Sequence, residues 1–197
     1  LTPDMEVAPA LARRWEVQEN GCAYTFYLRE DALWSDGAPV TAADFVCAWR
    51  RVLDRRNGSP SASLLYDIRG GRAYHRGEID DPERLGLRAL DEMTLQVELE
   101  GPAGYLPYLL TCCAAYPAPR HIVEAHGQAW ANPERLVTNG PFRLESWTPG
   151  QRLRLGRQDH WIGAAIGNVE GVDLALSLEH EAKPVTAQVG TLAASAG

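Results

Sequence analysis

Residues 28–53 read LREDALWSDGAPVTAADFVCAWRRVL, which contains the end of a strand, a tight turn and the beginning of an amphipathic helix. Asp36 and Gly37 predict the turn, because glycine adopts positive φ without steric cost. Thr41 is a typical helix N-cap, and Asp44 three residues later gives a pattern close to a capping box. Apolar residues then recur at helical spacing, so the stretch predicts a helix with one buried face.

Two β-hairpins are predicted on either side of this stretch. Asn20-Gly21 is a strong hairpin signal, and the alternating apolar residues after it favour a half-buried strand paired with residues 15–17. Residues 10–15 are expected to form a short helical turn before that pairing begins. Residues 85–99 alternate apolar and polar side chains, which predicts a second antiparallel hairpin with one polar face.

The rest of the chain predicts short elements separated by turns. Glycines and an Asp-Asp-Pro sequence favour a long surface excursion over residues 70–82. Helices are expected at residues 105–110 and 120–126, strands at 142–147, 152–157 and 172–178, and a weak Ala-rich helix at 184–195. The predicted fold class is therefore α/β (mixed α+β).

Length and charge exclude several classes of protein. The chain has 197 residues and 45% hydrophobic residues, enough for one domain or one domain with part of a second. No run approaches the roughly 18 apolar residues that cross a bilayer, and no signal-peptide pattern opens the chain. The sequence begins abruptly at Leu1, as expected of a mature segment or an internal fragment. A net charge of −7 argues against binding of nucleic acid by this segment.

The four cysteines leave two possibilities open. They are either free thiols or two disulfides in one of three pairings, and their spacing does not fit a zinc site. Most are expected to be free structural thiols, because unpaired cysteine is commonly buried. The cysteines are Cys22, Cys47, Cys112 and Cys113.

The patterns that carry catalysis or metal binding are missing from the sequence. His121 and His126 are five residues apart, so they do not share a helical face as two zinc ligands at i and i+4 would. The acidic pairs lie in predicted turns, and neither a nucleophile elbow nor a glycine-rich phosphate loop occurs. We therefore expect no enzyme activity, no metal and no cofactor. The tryptophans are expected mainly in the core: Trp15, Trp34, Trp49, Trp130, Trp147 and Trp161.

Several ordered blocks of the chain are similar to one known family. They are PALARRWEV (9–17), YTFYLREDALWSDGAPVTAADFVCAWRRVLD (24–54), SPSASLLY (59–66), LGLRALDEMTLQVEL (85–99), AYPAPRHIVEAHGQAWANPERLVTNGPFRLESW (115–147) and LRLGRQDHW (153–161). Their order and approximate spacing resemble those of the extracellular solute-binding proteins of peptide importers, the oligopeptide- and dipeptide-binding family. Agreement of several blocks is a much stronger signal than any one short motif.

The resemblance implies a periplasmic-binding-protein type II-like fold in which two large lobes close over the ligand and a smaller lobe packs beside them. Residues 3–137 would supply the smaller accessory lobe, and residues 138–197 the beginning of a ligand-gripping lobe. The family holds the amino end of the peptide with an acidic residue outside the matching stretch. The 197-residue chain alone is therefore expected to bind peptide weakly or not at all.

The implied function is binding of a peptide or other small solute and its delivery to the permease of an ABC-type importer. The implied location is periplasmic or extracytoplasmic, with membrane contact only through the permease or a lipid anchor outside this segment. The alternative is a sensor domain of an intracellular transcription regulator or signalling protein. The four thiols and the lack of an export signal at Leu1 leave that alternative open.

Four residues are the candidate ligand contacts: Ser61, Ser63, Tyr66 and Asn139. The family often carries an aromatic Tyr at the position of Ser61, facing the bound peptide, so this chain lacks a stacking surface there. The alternative is structural: Ser61 and Ser63 would cap a helix, and Asn139 would serve the turn before Pro141.

Overall fold

A computed structural model describes residues 2, 4–159, 161 and 168–175 of the chain. It divides into two compact units, the first formed by Leu1–Asp31 and Pro39–His121 and the second by Ala32–Ala38 and Ile122–Gly197. Each unit contains an antiparallel sheet, and the predicted mixture of helices and strands is confirmed. Within the described ranges, no helix is both long enough and apolar enough to cross a membrane.

The sheet of the first unit has four strands in the order β1-β2-β4-β3. They are β1 (Ala12–Gln18), β2 (Ala23–Leu28), β3 (Leu87–Ala89) and β4 (Thr94–Glu98). Both predicted hairpins are present, and Trp15 pairs with Phe26, which in turn pairs with Leu95. The helical turn predicted at residues 10–15 is wrong, because the chain from Ala12 onward is a strand paired with β2.

Helix α1 (Ala42–Leu53) begins where the sequence predicts, with a complete capping box between Thr41 and Asp44. The backbone N–H of Thr41 donates to Asp44 Oδ2 over 2.8 Å. Trp49 and Leu53 are buried, and α1 packs against β3 and β4. The capping residues therefore fix where the helix starts, and its apolar residues Trp49 and Leu53 lie on the buried face.

The described residues contain three further, shorter α-helices: α2 (Gly71–Arg76), α3 (Leu106–Leu109) and α4 (Arg120–His126). The surface excursion expected over residues 70–82 is only partly correct, because α2 lies within it and buries Tyr74. Gly70 and Gly77 flank α2 with φ of 75° each, a left-handed conformation that favours glycine. The predicted helix at 120–126 is confirmed with the same bounds.

The second unit contains a three-stranded sheet in the order β5-β6-β7, formed by Phe142–Thr148, Arg152–Arg157 and Gly171–Ala175. The predicted strands in these three places are present. Residues 176–178 of the last predicted strand and the predicted helix at 184–195 lie outside the described residues. Trp147 is 43% exposed, so the expectation of a core position is wrong for this tryptophan, whereas Trp34 and Trp49 are buried.

The four cysteines are all within the described residues, and none of them forms a disulfide. Cys22 and Cys47 are half-buried, whereas Cys112 and Cys113 are exposed. Of the two possibilities left open by the sequence, the structure therefore has thiols rather than disulfides.

Candidate functional site

The segment after α1 carries three of the four candidate ligand contacts. Ser61 occupies the N-cap position of a 3-10 turn over Ala62–Leu65, but its hydroxyl makes no capping hydrogen bond. Ala62 and Leu65 are 2% and 1% exposed, and they anchor the turn in the core of the first unit. Ser61 is half-buried and Ser63 is exposed. The structural alternative, in which the Ser61 hydroxyl caps this turn, is therefore wrong.

The ring of Tyr66 packs among the side chains of helix α2. Its centroid lies 5.5 Å from that of His75, and the guanidinium carbon of Arg72 lies 5.6 Å from the Tyr66 centroid. His75 Nδ1 lies 3.0 Å from the carbonyl oxygen of Leu53. Because a carbonyl only accepts, Nδ1 carries the hydrogen of this bond. Tyr66 thus contacts both a cation and a ring whose orientation is fixed by the end of α1.

An exposed tyrosine, Tyr105, contacts the residue that follows Tyr66 in the chain. The hydroxyl of Tyr105 donates to Asp67 Oδ2 over 2.8 Å, and this bond with the carboxylate raises the pKa of Tyr105. The backbone carbonyl of Asp67 accepts from Glu100 over 2.9 Å. The sequence predicts only a helix at 105–110 and gives no sign of this pair; Tyr105 is 53% exposed.

The first unit also contains an apolar cavity of about 250 Å³. Aromatic side chains from both hairpin strands and from α1 form much of its wall, and no residue that lines it carries a charge. The large lining residues are Trp15, Phe26, Phe45, Trp49 and Tyr116. No sequence pattern predicted this cavity, because its wall is assembled from segments that are distant along the chain.

The fourth candidate contact, Asn139, belongs to the second unit and is half-buried. It follows Thr138, whose backbone N–H donates to Ser35 Oγ over 3.1 Å. Ser35 in return donates its backbone N–H to the Thr138 carbonyl over 2.7 Å. The loop that carries Asn139 is therefore hydrogen-bonded to residues 32–38, which contain the turn predicted at Asp36 and Gly37.

The described residues offer no ready metal centre. They contain no group of three or more His, Cys, Asp or Glu side chains arranged to hold an ion. His121 and His126 are both exposed on α4. Around the candidate contacts, the described residues offer hydrogen-bonding hydroxyls and amides, and an aromatic ring with an arginine above it.

Comparison with solved structures identifies the class of protein. The chain superposes on the oligopeptide-binding protein OppA of Haemophilus influenzae, solved in complex with the peptide RPPGFSPFR, with a TM-score of 0.79 and 30% identity. The match covers 86% of this chain and 33% of that one. The fold is therefore that of OppA-type periplasmic solute-binding proteins, as the resemblance of the sequence implied.

The sequence comparisons identify the family. Residues 6–193 match the model of bacterial extracellular solute-binding proteins, family 5 Middle. The chain belongs to this family, which consists of solute-binding proteins and not of enzymes.

Two relatives illustrate the range of the family. The periplasmic oligopeptide-binding protein OppA of Salmonella typhimurium is 38% identical over 165 residues, which cover 80% of this chain and 29% of that protein. The probable deoxycholate-binding periplasmic protein YgiS of Escherichia coli is 39% identical over 150 residues, which cover 75% of this chain and 28% of that protein. The chain thus spans less than a third of the length of these relatives.

Proposed function

We propose that the protein containing this chain is an extracytoplasmic peptide-binding protein that delivers its ligand to the permease of an ABC-type importer. The observation that carries the proposal is the 38% identity to an oligopeptide-binding protein over 80% of the chain. The agreement in fold with a peptide-bound OppA supports the same function. The net charge of −7 disfavours nucleic acid as a ligand of this segment.

In the proposed mechanism, the ligand binds between two lobes and stabilises their closed arrangement. The permease then recognises that arrangement, and only a higher affinity of the ligand for the closed than for the open form drives the change. Residues 3–137 serve as the smaller accessory lobe, and residues 138–197 begin a ligand-gripping lobe. The described part of the chain contributes binding groups and support, and no bond of the ligand is broken.

The four candidate residues suit a peptide ligand chemically. The hydroxyls of Ser61 and Ser63 can exchange hydrogen bonds with backbone amides, which all peptides present irrespective of sequence. Tyr66 offers an aromatic face already polarised by Arg72. Asn139 adds a side chain that donates and accepts at the same time. This set favours recognition of the peptide backbone over any one side chain.

A thermal-shift titration of the full-length protein tests the proposal. A ligand that binds only the folded state raises the Tm with the logarithm of its concentration over Kd. Mixed di- to hexapeptides should raise the Tm, and deoxycholate, suggested by the name of one relative, is the competing ligand. A rise with deoxycholate alone, or with neither ligand, would contradict the proposal.

Isothermal titration with one active peptide then measures the part played by Tyr66. The change Tyr66→Ala should weaken binding by about five- to fifty-fold, the cost of one aromatic contact. Tyr108→Ala is the matched control, because Tyr108 is an exposed tyrosine of the same unit that is neither a candidate contact nor part of the cavity wall. Equal Kd values for both variants would remove Tyr66 from the site.

A further inference from the structure

Thr138 takes part in several hydrogen bonds within the second unit. Besides the two backbone bonds with Ser35, its hydroxyl donates to the carbonyl oxygen of Phe142 over 3.1 Å. This last bond closes residues 138–142 into a short loop that contains Asn139. The position of Asn139 thus depends on what else the Thr138 side chain contacts.

Gln158, which follows strand β6, contacts the same loop from the other side. It is 4% exposed, and its backbone N–H donates to the carbonyl of Pro141 over 2.9 Å. Its side-chain Oε1 lies 3.5 Å from the Thr138 hydroxyl, whereas its Nε2 is buried and has no hydrogen-bond partner among the residues that the structure describes. A buried amide donor with no partner is uncommon, because it loses its bond to water without replacement.

The single hydroxyl proton of Thr138 decides which way the Gln158 amide is oriented. A hydroxyl has one proton, and the Thr138 proton goes to Phe142 at the shorter distance of 3.1 Å. The same proton cannot also bond to Gln158 Oε1, so Gln158 Oε1 would face a lone pair of the Thr138 hydroxyl oxygen. Rotating the Gln158 amide by half a turn places Nε2 against that lone pair. An acceptor then remains unbonded in place of a donor, which is the commoner condition in proteins.

We propose that Gln158 is a positioning residue, which donates from its side-chain amide to the Thr138 hydroxyl and holds the loop over residues 138–142 in place. Through that loop it sets the position of Asn139. The effect on ligand affinity rests on the function proposed above, whereas the effect on the loop does not. Gln158 itself touches no ligand in this proposal.

Hydrogen exchange of the full-length protein, followed by mass spectrometry, tests the effect on the loop without any ligand. The change Gln158→Leu should speed exchange in peptides that cover residues 138–142 by about three- to tenfold, as expected for one lost hydrogen bond. Gln151→Leu is the matched control, because Gln151 is an exposed glutamine of the same unit. Unchanged exchange in Gln158→Leu, or equal acceleration in both variants, would overturn the proposal.

A second variant shows whether Thr138 is the partner. Thr138→Val removes the hydroxyl and keeps the backbone bonds, so it should also accelerate exchange in the loop. If Gln158 acts through that hydroxyl, the double variant should exchange no faster than the faster single variant. Multiplied effects in the double variant would show that Gln158 acts on the loop by another route and would contradict the assignment.

Peptide affinity separates this inference from the proposed function. If the unchanged protein binds peptide, Gln158→Leu should raise the Kd by about three- to tenfold while Gln151→Leu leaves it unchanged. Binding that is equal in all three proteins would overturn the link to Asn139. If the unchanged protein binds no peptide, the proposed function fails, and the exchange measurement still decides whether Gln158 positions the loop.

Discussion

The indole Nε1 of Trp49 donates a 2.9 Å hydrogen bond to the backbone carbonyl of Ala115, which lies 66 residues further along the chain. Trp49 is 1% exposed on helix α1, and Ala115 is 3% exposed just before α4. The bond satisfies the one polar atom of a large buried ring. The bond therefore joins helix α1 to the segment around Ala115, whose position no local sequence pattern predicts.

Trp49→Phe should destabilise the first unit. The change removes the bond to Ala115 and leaves space beside the cavity that Trp49 lines, so we expect a loss of about 2 to 3 kcal/mol in the free energy of unfolding. Urea denaturation of the full-length protein, followed by circular dichroism, measures it. Trp147→Phe is the control, because Trp147 is 43% exposed. A loss no larger than that of the control would show that the Ala115 bond contributes nothing.

Removing the Asp44 carboxylate is expected to destabilise the protein more than removing a carboxylate at an exposed turn. It is 3% exposed; its Oδ2 accepts from Thr41, and its Oδ1 accepts the backbone N–H of Arg120 over 2.9 Å. Asp44→Ala leaves these donors without their acceptor, so the expected loss of unfolding free energy is about 2 to 4 kcal/mol.

Asp91→Ala provides the comparison for Asp44. The carboxylate of Asp91 also accepts a backbone N–H, from Met93 over 2.8 Å, but it does so at an exposed turn. Its removal should cost about 0.5 kcal/mol, as at most surface positions. Similar losses for the two variants in urea denaturation would contradict the role assigned to the burial of Asp44.

Acid should weaken the contact between Asp54 and Arg56. Hydrogen bonds from the Arg56 side chain and backbone hold the pKa of Asp54 below its ordinary value of 3.8. A carboxyl whose pKa is lowered by folding stabilises the protein above its unfolded pKa, and this contribution is lost as the pH falls through the folded pKa. The contribution should therefore be complete at neutral pH and disappear only below about pH 4.

The change Arg56→Gln tests this dependence on pH. The pKa of Asp54, followed by carboxyl ¹³C resonances, should rise in the variant, and the difference in stability from the unchanged protein should vanish in acid. Arg76→Gln is the control, because Arg76 and Glu78 are both well exposed and 3.9 Å apart. A difference in stability that persists unchanged below the folded pKa would show that Arg56 acts by something other than the charge of Asp54.

Local chemistry predicted those parts of the fold whose signals lie within a few residues. The capping box of Thr41 and Asp44 and the helix at 120–126 follow from side chains that bond to the nearest backbone. Residues 10–15 were mispredicted because the pairing of Ala12 with Leu28 outweighs any local preference for helix. The exposure of Trp147 was not predicted either, because hydrophobicity alone does not show which face of a strand is covered.

The candidate site was less predictable than the fold. The resemblance of SPSASLLY to its family located Ser61, Ser63 and Tyr66, but nothing in the sequence linked Tyr66 to Arg72 and His75 or Asp67 to Tyr105. These contacts join separate turns and helices, so they depend on tertiary packing. Gln158 was missed as well, because its partner Thr138 lies 20 residues away along the chain.

The substitution at Ser61 provides the most direct test of the ligand site. The family often has Tyr there, and Ser61 is half-buried with a hydroxyl that caps nothing, so a larger side chain replaces no structural bond. Ser61→Tyr should therefore leave the Tm nearly unchanged and strengthen peptide binding about three- to tenfold by adding an aromatic contact. Leu90→Tyr, at an exposed hairpin turn, is the control for an added ring. Isothermal titration that finds the same gain in both variants, or none with Ser61→Tyr, would place the ligand elsewhere and leave the first unit as a supporting lobe.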